Sequence, residues 1–204
     1  MSIEFLITAL IVVLAPGTGV VYTLATGLAQ GRMASVAAAF GCTLGIIPAI
    51  LASVFGLAAL FHTSALLFQT VKFAGVAYLL YLAWQTLRDR GTLRVSGEGT
   101  PRRGLFAIVR NGFLINILNP KLSVFFLAFL PQFVSPVAAA PVLEMLMLSA
   151  VFMAMTFAVF VVYGQFSGLM RDRVLSSERA MAWMRRSVAL AFAGFGVKLA
   201  LSRQ

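Results

Sequence analysis

The chain has 204 residues, of which 61% are hydrophobic and 11% are charged. An ordinary soluble domain carries about a quarter charged residues, so this composition excludes a soluble globular protein and predicts an integral membrane protein. The apolar runs are continuous and not alternating, which favours spanning helices over a barrel. The formal charge of +10 comes mainly from arginines between these runs and does not indicate a nucleic-acid partner.

Six apolar runs are long enough, or nearly so, to cross about 30 Å of hydrocarbon. They lie at Ile3–Leu24, Val36–Leu60, Ala65–Leu87, Gly112–Val134, Val142–Phe166 and Val188–Leu201. The last run is short, and only Trp183 and Met184 could lengthen it. We therefore predict an all-α membrane protein of six transmembrane helices and one transporter domain, 1–204. Its first half covers about 1–90, a cytoplasmic linker about 88–104, and its second half about 105–204.

Arginines are concentrated in alternate links between these runs. They are Arg32 in the first link, Arg88, Arg90, Arg94, Arg102, Arg103 and Arg110 around the third, and Arg171, Arg173, Arg179, Arg185 and Arg186 in the fifth. The links Phe61–Ser64 and Ser135–Pro141 contain no Lys or Arg. The positive-inside rule makes the basic links cytoplasmic, so both termini are predicted outside a bacterial inner (plasma) membrane. Anionic membrane lipids are the expected partners of these arginines.

The first run is interrupted by Pro16 and Gly17. Proline lacks the backbone donor that a helix needs, and its ring clashes with the preceding turn. The half-helix after such a break directs free N–H groups and a positive dipole end at whatever lies there. A carboxylate suits that position, and Gly17 and Gly19 would let a ligand approach the backbone closely.

The fourth run carries the same defect together with a charge, at Asn119-Pro120-Lys121. A charged side chain at membrane depth is costly unless it is paired, hydrated or able to snorkel. Lys121 is about ten residues from the predicted cytoplasmic end, so snorkelling would be strained. Asn116 and Asn119 add amide donors and acceptors to the same segment.

The two breaks are related by a shift of 104 residues, since 16 plus 104 is 120. Val13-Leu14-Ala15-Pro16-Gly17 then aligns with Ile117-Leu118-Asn119-Pro120-Lys121. Three spans per half place the second copy in the opposite orientation. Inverted repeats with breaks at corresponding positions are typical of transporters that bind their substrate near the membrane midplane.

Each of these residues also has a purely structural interpretation. A membrane proline often only kinks its helix. Tyr78 lies three residues before Tyr81 on one helix face, where lining a pathway and packing are both open. Gly41 and Gly45 favour close helix packing.

Three strings carry a family resemblance. They are Leu14-Ala15-Pro16-Gly17-Thr18-Gly19, Gly75-Val76-Ala77-Tyr78-Leu79-Leu80-Tyr81-Leu82 and Asn116-Ile117-Leu118-Asn119-Pro120-Lys121. With these strings the chain resembles the LysE/RhtB family of amino-acid exporters, which implies a LysE-type translocator with broken helices one and four. The family usually reads Pro-Gly-Pro in the first helix. Thr18 replaces the second proline here, which leaves a more flexible break and adds a hydroxyl group that could bond a ligand.

The predicted function is export of amino acids by alternating access, driven by the proton gradient or the membrane potential, because no nucleotide-binding loop is present. No Asp or Glu lies at the predicted midplane, so neutral zwitterionic substrates resembling homoserine, threonine or leucine are favoured over basic ones. The candidate substrate-binding residues are Pro16, Gly17, Thr18, Gly19, Tyr78, Asn116, Asn119, Pro120 and Lys121. No catalytic residue, metal or cofactor is expected, and a homo-oligomer is compatible with the sequence.

Two other classes of protein fit this sequence poorly. An intramembrane hydrolase needs a buried Ser and His, whereas His62 lies in a predicted loop, and a thiol electron carrier needs paired cysteines, whereas Cys42 is alone. The sequence is also compatible with an exporter of basic amino acids or of another small metabolite, with a channel and with a non-transporting membrane subunit.

Overall fold

The computed structural model describes residues 2–15, 17–60, 73, 76–77, 80–81, 83–88, 103–119, 122–123, 125–134, 140–169 and 177–201. All regular structure within these ranges is helical. Four candidate residues, Pro16, Tyr78, Pro120 and Lys121, lie outside the described residues. The predictions made for them therefore stay predictions.

Eight α-helices lie in the described part of the chain. They are α1 (Ile3–Leu14), α2 (Thr18–Gln30), α3 (Arg32–Leu44), α4 (Ile47–Leu60), α5 (Leu105–Ile117), α6 (Pro141–Gln165), the short α7 (Ser167–Leu169) and α8 (Glu178–Leu201). Between α5 and α6, residues Phe125–Phe129 form a π-helical turn and Leu130–Phe133 a 3-10 turn. Residues 83–88, from the third apolar run, are also helical.

Two stretches in the described part of the chain are long and apolar enough to cross a membrane, Arg32–Gly56 and Pro141–Gln165, with 25 residues each. At 1.5 Å per residue, each is about 37 Å long. The pair α1 and α2, bent by 54° at its break, makes a third if it counts as one span. The predicted span at Ala65–Leu87 lies mostly outside the described residues, so the six-span inverted arrangement stays a prediction.

Three helices begin four or more residues earlier than the apolar runs indicate. α3 begins at Arg32, α5 at Leu105 and α8 at Glu178, where the runs begin at Val36, Gly112 and Val188. Arg110, Arg185 and Arg186, predicted in or around the links, therefore lie inside helices. Hydropathy marks the hydrocarbon layer, but a helix is held by its own backbone bonds and can extend to where arginine reaches the polar interface.

α3 and α5 pack closely against each other, and this contact depends on glycine. A Cβ atom on Gly41 would clash with the backbone of Val109, and one on Gly45 would lie 2.6 Å from the carbonyl oxygen of Phe113. On the other helix, a Cβ on Gly112 would lie 2.9 Å from the carbonyl oxygen of Ala38. The packing interpretation of Gly41 and Gly45 is confirmed. The contact packs a helix from the first half of the chain against a helix from the second half.

Candidate functional site

The first helix break separates α1 from α2 near the predicted Pro16-Gly17 motif. α1 ends at Leu14, Ala15 is extended, and Gly17 occupies the N-cap position with φ −118° and ψ −171°. Glycine has no side chain with which to cap the first N–H groups of α2. These donors and the positive end of the helix dipole are available to an anionic group.

The carbonyl end of α1 is capped from another helix. The hydroxyl group of Tyr163, in α6, donates a hydrogen bond of 2.9 Å to the carbonyl oxygen of Leu14. The last carbonyl groups of a helix have no partner within it, so this bond satisfies one of them and joins α6 to the first break.

The second break follows α5, which ends at Ile117. Asn119 donates its backbone N–H to the carbonyl oxygen of Asn116 at 3.1 Å and accepts the N–H of Leu122 at 3.1 Å. The chain then enters the π-helical turn, where the carbonyl oxygen of Phe126 accepts a hydrogen bond from Ser53 in α4. Both helices therefore end where the sequence predicts a break.

The two breaks contact each other in space. The Nδ2 group of Asn119 lies 3.4 Å from the hydroxyl oxygen of Thr18, which begins α2. This distance is long for a hydrogen bond. Residues 101 positions apart are nevertheless neighbours, one from each half of the chain.

A cavity of about 40 Å³ lies against the breaks. It is lined by the backbone of the first break, by the two asparagines of the second and by one face of α6; the residues are Val12, Val13, Ala15, Gly17, Gly19, Val20, Asn116, Asn119, Leu122, Phe152, Thr156 and Phe160. Its volume is room for roughly one or two water molecules. None of these lining residues carries a charge.

Asn116 is buried in the wall of this cavity, with 4% of its surface exposed. Its Nδ2 donates a 2.7 Å hydrogen bond to the carbonyl oxygen of Cys42 at the end of α3. The chain turns tightly there, with the N–H of Ile46 bonded to the carbonyl oxygen of Thr43 at 3.1 Å. The side chain of Asn116 thus satisfies backbone that the turn takes out of the regular helical pattern.

Two side chains occupy the space that Gly19 leaves open. A Cβ atom there would lie 2.8 Å from Oδ1 of Asn116 and 2.9 Å from the ring of Phe160. The missing side chain of Gly19 therefore makes space for Asn116. At Gly17, by contrast, a Cβ atom would meet no described atom within 4 Å, so this position is open.

The sequence-based list and the cavity agree in part. Gly17, Gly19, Asn116 and Asn119 line the cavity, and Thr18 lies beside it in contact with Asn119. Sequence reasoning missed the face of α6, which contributes Phe152, Thr156 and Phe160 at a spacing of four. That spacing places them on one helix face. Apolar faces of this kind are so common in membrane helices that the spacing did not indicate a binding site.

Apolar helices that break beside a cavity are features of membrane transport proteins. The family model for LysE type translocators matches residues 10–203, so the chain belongs to that family and is a membrane protein. The resemblance of its three sequence strings is thereby confirmed.

Several known proteins are similar to the chain. An uncharacterized membrane protein of Pseudomonas aeruginosa is 33% identical over 96% of this chain and 93% of its own length. The leucine efflux protein of Klebsiella pneumoniae is 27% identical over 97% of the chain and 93% of its own length. An uncharacterized membrane protein of Vibrio cholerae is 37% identical, but the match spans 66% of this chain and 65% of that protein. No solved structure matches.

Proposed function

We propose that the chain is a secondary transporter that exports neutral, zwitterionic amino acids such as leucine, homoserine or threonine across the bacterial inner membrane. The observation that carries the proposal is a cavity between an open helix N-terminus and two asparagine amides, whose described lining residues carry no charge. Membership of a translocator family and similarity to a leucine efflux protein support the same class of cargo.

The cavity chemistry suits a zwitterion better than a cationic side chain. The N-terminal end of α2 offers backbone donors to a carboxylate. Among the described residues of the lining there is no Asp or Glu that could pair with a lysine or arginine substrate. Lys121, two positions after Asn119 in the sequence, supplies a second positive group for the carboxylate in this proposal.

Transport requires the cavity to expand. Its volume of about 40 Å³ is far below the roughly 300 Å³ at which ordinary small-molecule pockets begin. In the proposed cycle, the two three-helix halves are inverted repeats that rock against each other. The breaks at Gly17 and Asn119 act as hinges, and the proton gradient or the membrane potential drives export.

The test is efflux from proteoliposomes preloaded with a mixture of the twenty amino acids. We expect neutral amino acids to leave the vesicles uphill when a proton gradient or membrane potential is imposed, and Lys121→Ala to abolish this efflux. Lys198→Ala is the matched control, because it removes the same charge from α8, a helix with no residue among the described lining of the cavity.

Each alternative has its own signature in this assay. Export of lysine and arginine alone would overturn the neutral-substrate proposal. Downhill leakage without uphill efflux would indicate a channel, and no flux at all would indicate a non-transporting subunit. An efflux profile unchanged by Lys121→Ala would remove Lys121 from the site.

A further inference from the structure

The amide oxygen of Asn116 is an acceptor in the wall of the cavity. A side-chain amide has two donors on Nδ2 and one acceptor oxygen, Oδ1. The bond from Nδ2 to the carbonyl oxygen of Cys42, at 2.7 Å, fixes which end of the amide faces α3. Oδ1 then lies beside Gly19, another lining residue, and has no hydrogen-bond partner within the described part of the chain.

Thr156 is a second acceptor in the same wall. It is 3% exposed, and its hydroxyl group donates its proton to the carbonyl oxygen of Phe152, one turn earlier in α6, at 2.9 Å. This back-bond is common for threonine inside a helix. Because the single hydroxyl proton is used, Oγ1 can offer only lone pairs to a ligand.

A ligand that meets these two oxygen atoms has to bring protons. An ammonium group has three donors and no acceptor, whereas a carbonyl or carboxylate oxygen would face two acceptors and leave them unpaired. The remaining walls are largely apolar, and in such surroundings an unpaired buried polar group is costly. The α2 N-terminus, which offers only donors, has the opposite preference.

We propose that Oδ1 of Asn116 and Oγ1 of Thr156 together bind the α-ammonium group of the exported amino acid. The inference rests on the proposed function and assigns the two ends of the zwitterion: the ammonium group to this acceptor pair, and the carboxylate to the N-terminus of α2. Thr156 becomes a specificity-determining residue, and the site selects substrates with a free primary amine.

Three compounds that differ only at the α-carbon substituent test this selection: L-leucine, 2-hydroxy-4-methylpentanoate and 4-methyl-2-oxopentanoate. Side chain and carboxylate are the same in all three, and only leucine carries the ammonium group. We expect wild-type proteoliposomes to export leucine at least about tenfold more efficiently than either analogue, because a site built to pair a donor rejects ligands that lack it.

The variant Thr156→Val removes the acceptor at nearly constant volume. We expect the leucine concentration at half-maximal efflux to rise about tenfold and the preference for leucine over its analogues to shrink. Thr156→Ser keeps the hydroxyl group and should keep the preference. Thr8→Val is the matched control, because Thr8 is buried, makes the same back-bond to Glu4 at 2.8 Å and does not line the cavity.

The outcomes separate this inference from the proposed function. If wild type exports leucine, and Thr156→Val keeps both the half-saturating leucine concentration and the preference for leucine over its analogues, the ammonium-site inference is overturned. The proposed transport function is then retained. If wild type exports neither leucine nor homoserine, both proposals fall. Should Thr156→Val not fold in detergent, Thr156→Ala supports the same comparison, since a merely structural threonine would not alter the ratio between the three compounds.

Discussion

The two helix breaks differ in what each contributes to the cavity. The first break contributes backbone groups, because Gly17 leaves the N-terminus of α2 uncapped and open. The second break contributes side chains, because Asn116 and Asn119 place amide groups against the cavity. One break supplies fixed donors, and the other supplies groups whose orientation depends on neighbouring helices.

This difference indicates that the second break is the more vulnerable one. The donors of α2 are backbone N–H groups, and they are retained in every substitution except one to proline. The orientation of Asn116 depends on the carbonyl oxygen of Cys42 in α3 and on the space at Gly19 in α2. Substitutions far apart in sequence should therefore alter the orientation of the same side chain, the amide of Asn116.

Among the described residues of the two breaks, the largest effect is expected from Gly19→Ala. The new methyl group would lie 2.8 Å from Oδ1 of Asn116 and 2.9 Å from the Phe160 ring, so both side chains must move. Overpacking of this kind costs about 1–3 kcal/mol, and we expect neutral amino-acid efflux to fall at least about tenfold. Thermal unfolding in detergent and the proteoliposome assay measure the two losses.

The control for this substitution is Gly17→Ala. Its φ of −118° suits any residue, and the added methyl group meets no described atom within 4 Å. We expect unchanged thermal stability with weaker substrate affinity, because the methyl group narrows the approach to the α2 N-terminus. Equal destabilisation by both alanines would contradict the contrast between an open and a packed glycine.

A smaller effect is expected from Tyr163→Phe, which removes the cap on the Leu14 carbonyl group. A hydrogen bond of this kind contributes about 0.5–1.5 kcal/mol, and efflux should fall a few-fold as the first break loses its anchor on α6. Tyr22→Phe is the matched variant, because Tyr22 donates an equally long 2.9 Å bond to the carbonyl oxygen of Ile108 inside α5. A carbonyl inside a helix already has a helical partner, so Tyr22→Phe should cost less.

The smallest effect is expected from Thr18→Val. Its contact with Asn119 is 3.4 Å long and lies at the surface, so we expect a stability change within about 0.5 kcal/mol and nearly normal efflux. Thr18→Ser retains the hydroxyl group for comparison. A severe loss of efflux in Thr18→Val that Thr18→Ser restores would instead make Thr18 a direct substrate contact at the position where the family usually has proline.

Sequence reasoning located the breaks well and the cavity wall incompletely. Proline and glycine are strong local signals, so the ends of α1 and α5 were predictable, as was the glycine packing of Gly41 and Gly45. The early starts of α5 and α8 were not predictable, because Arg110 and Arg185 precede an apolar run but lie inside the same helix as that run. Thr156 and Phe160 were also missed, since one apolar helix face resembles another until its partner is known.

By itself the sequence determined that this is a membrane protein, that two of its apolar segments carry a proline at positions 104 residues apart, and which family it belongs to. Those properties follow from composition and from local backbone chemistry. Only the tertiary structure decided that Asn116 turns its acceptor toward Gly19, that Tyr163 caps α1 and that α6 completes the cavity. These features depend on which helices touch, and contacts between distant segments are set by packing that no local pattern encodes.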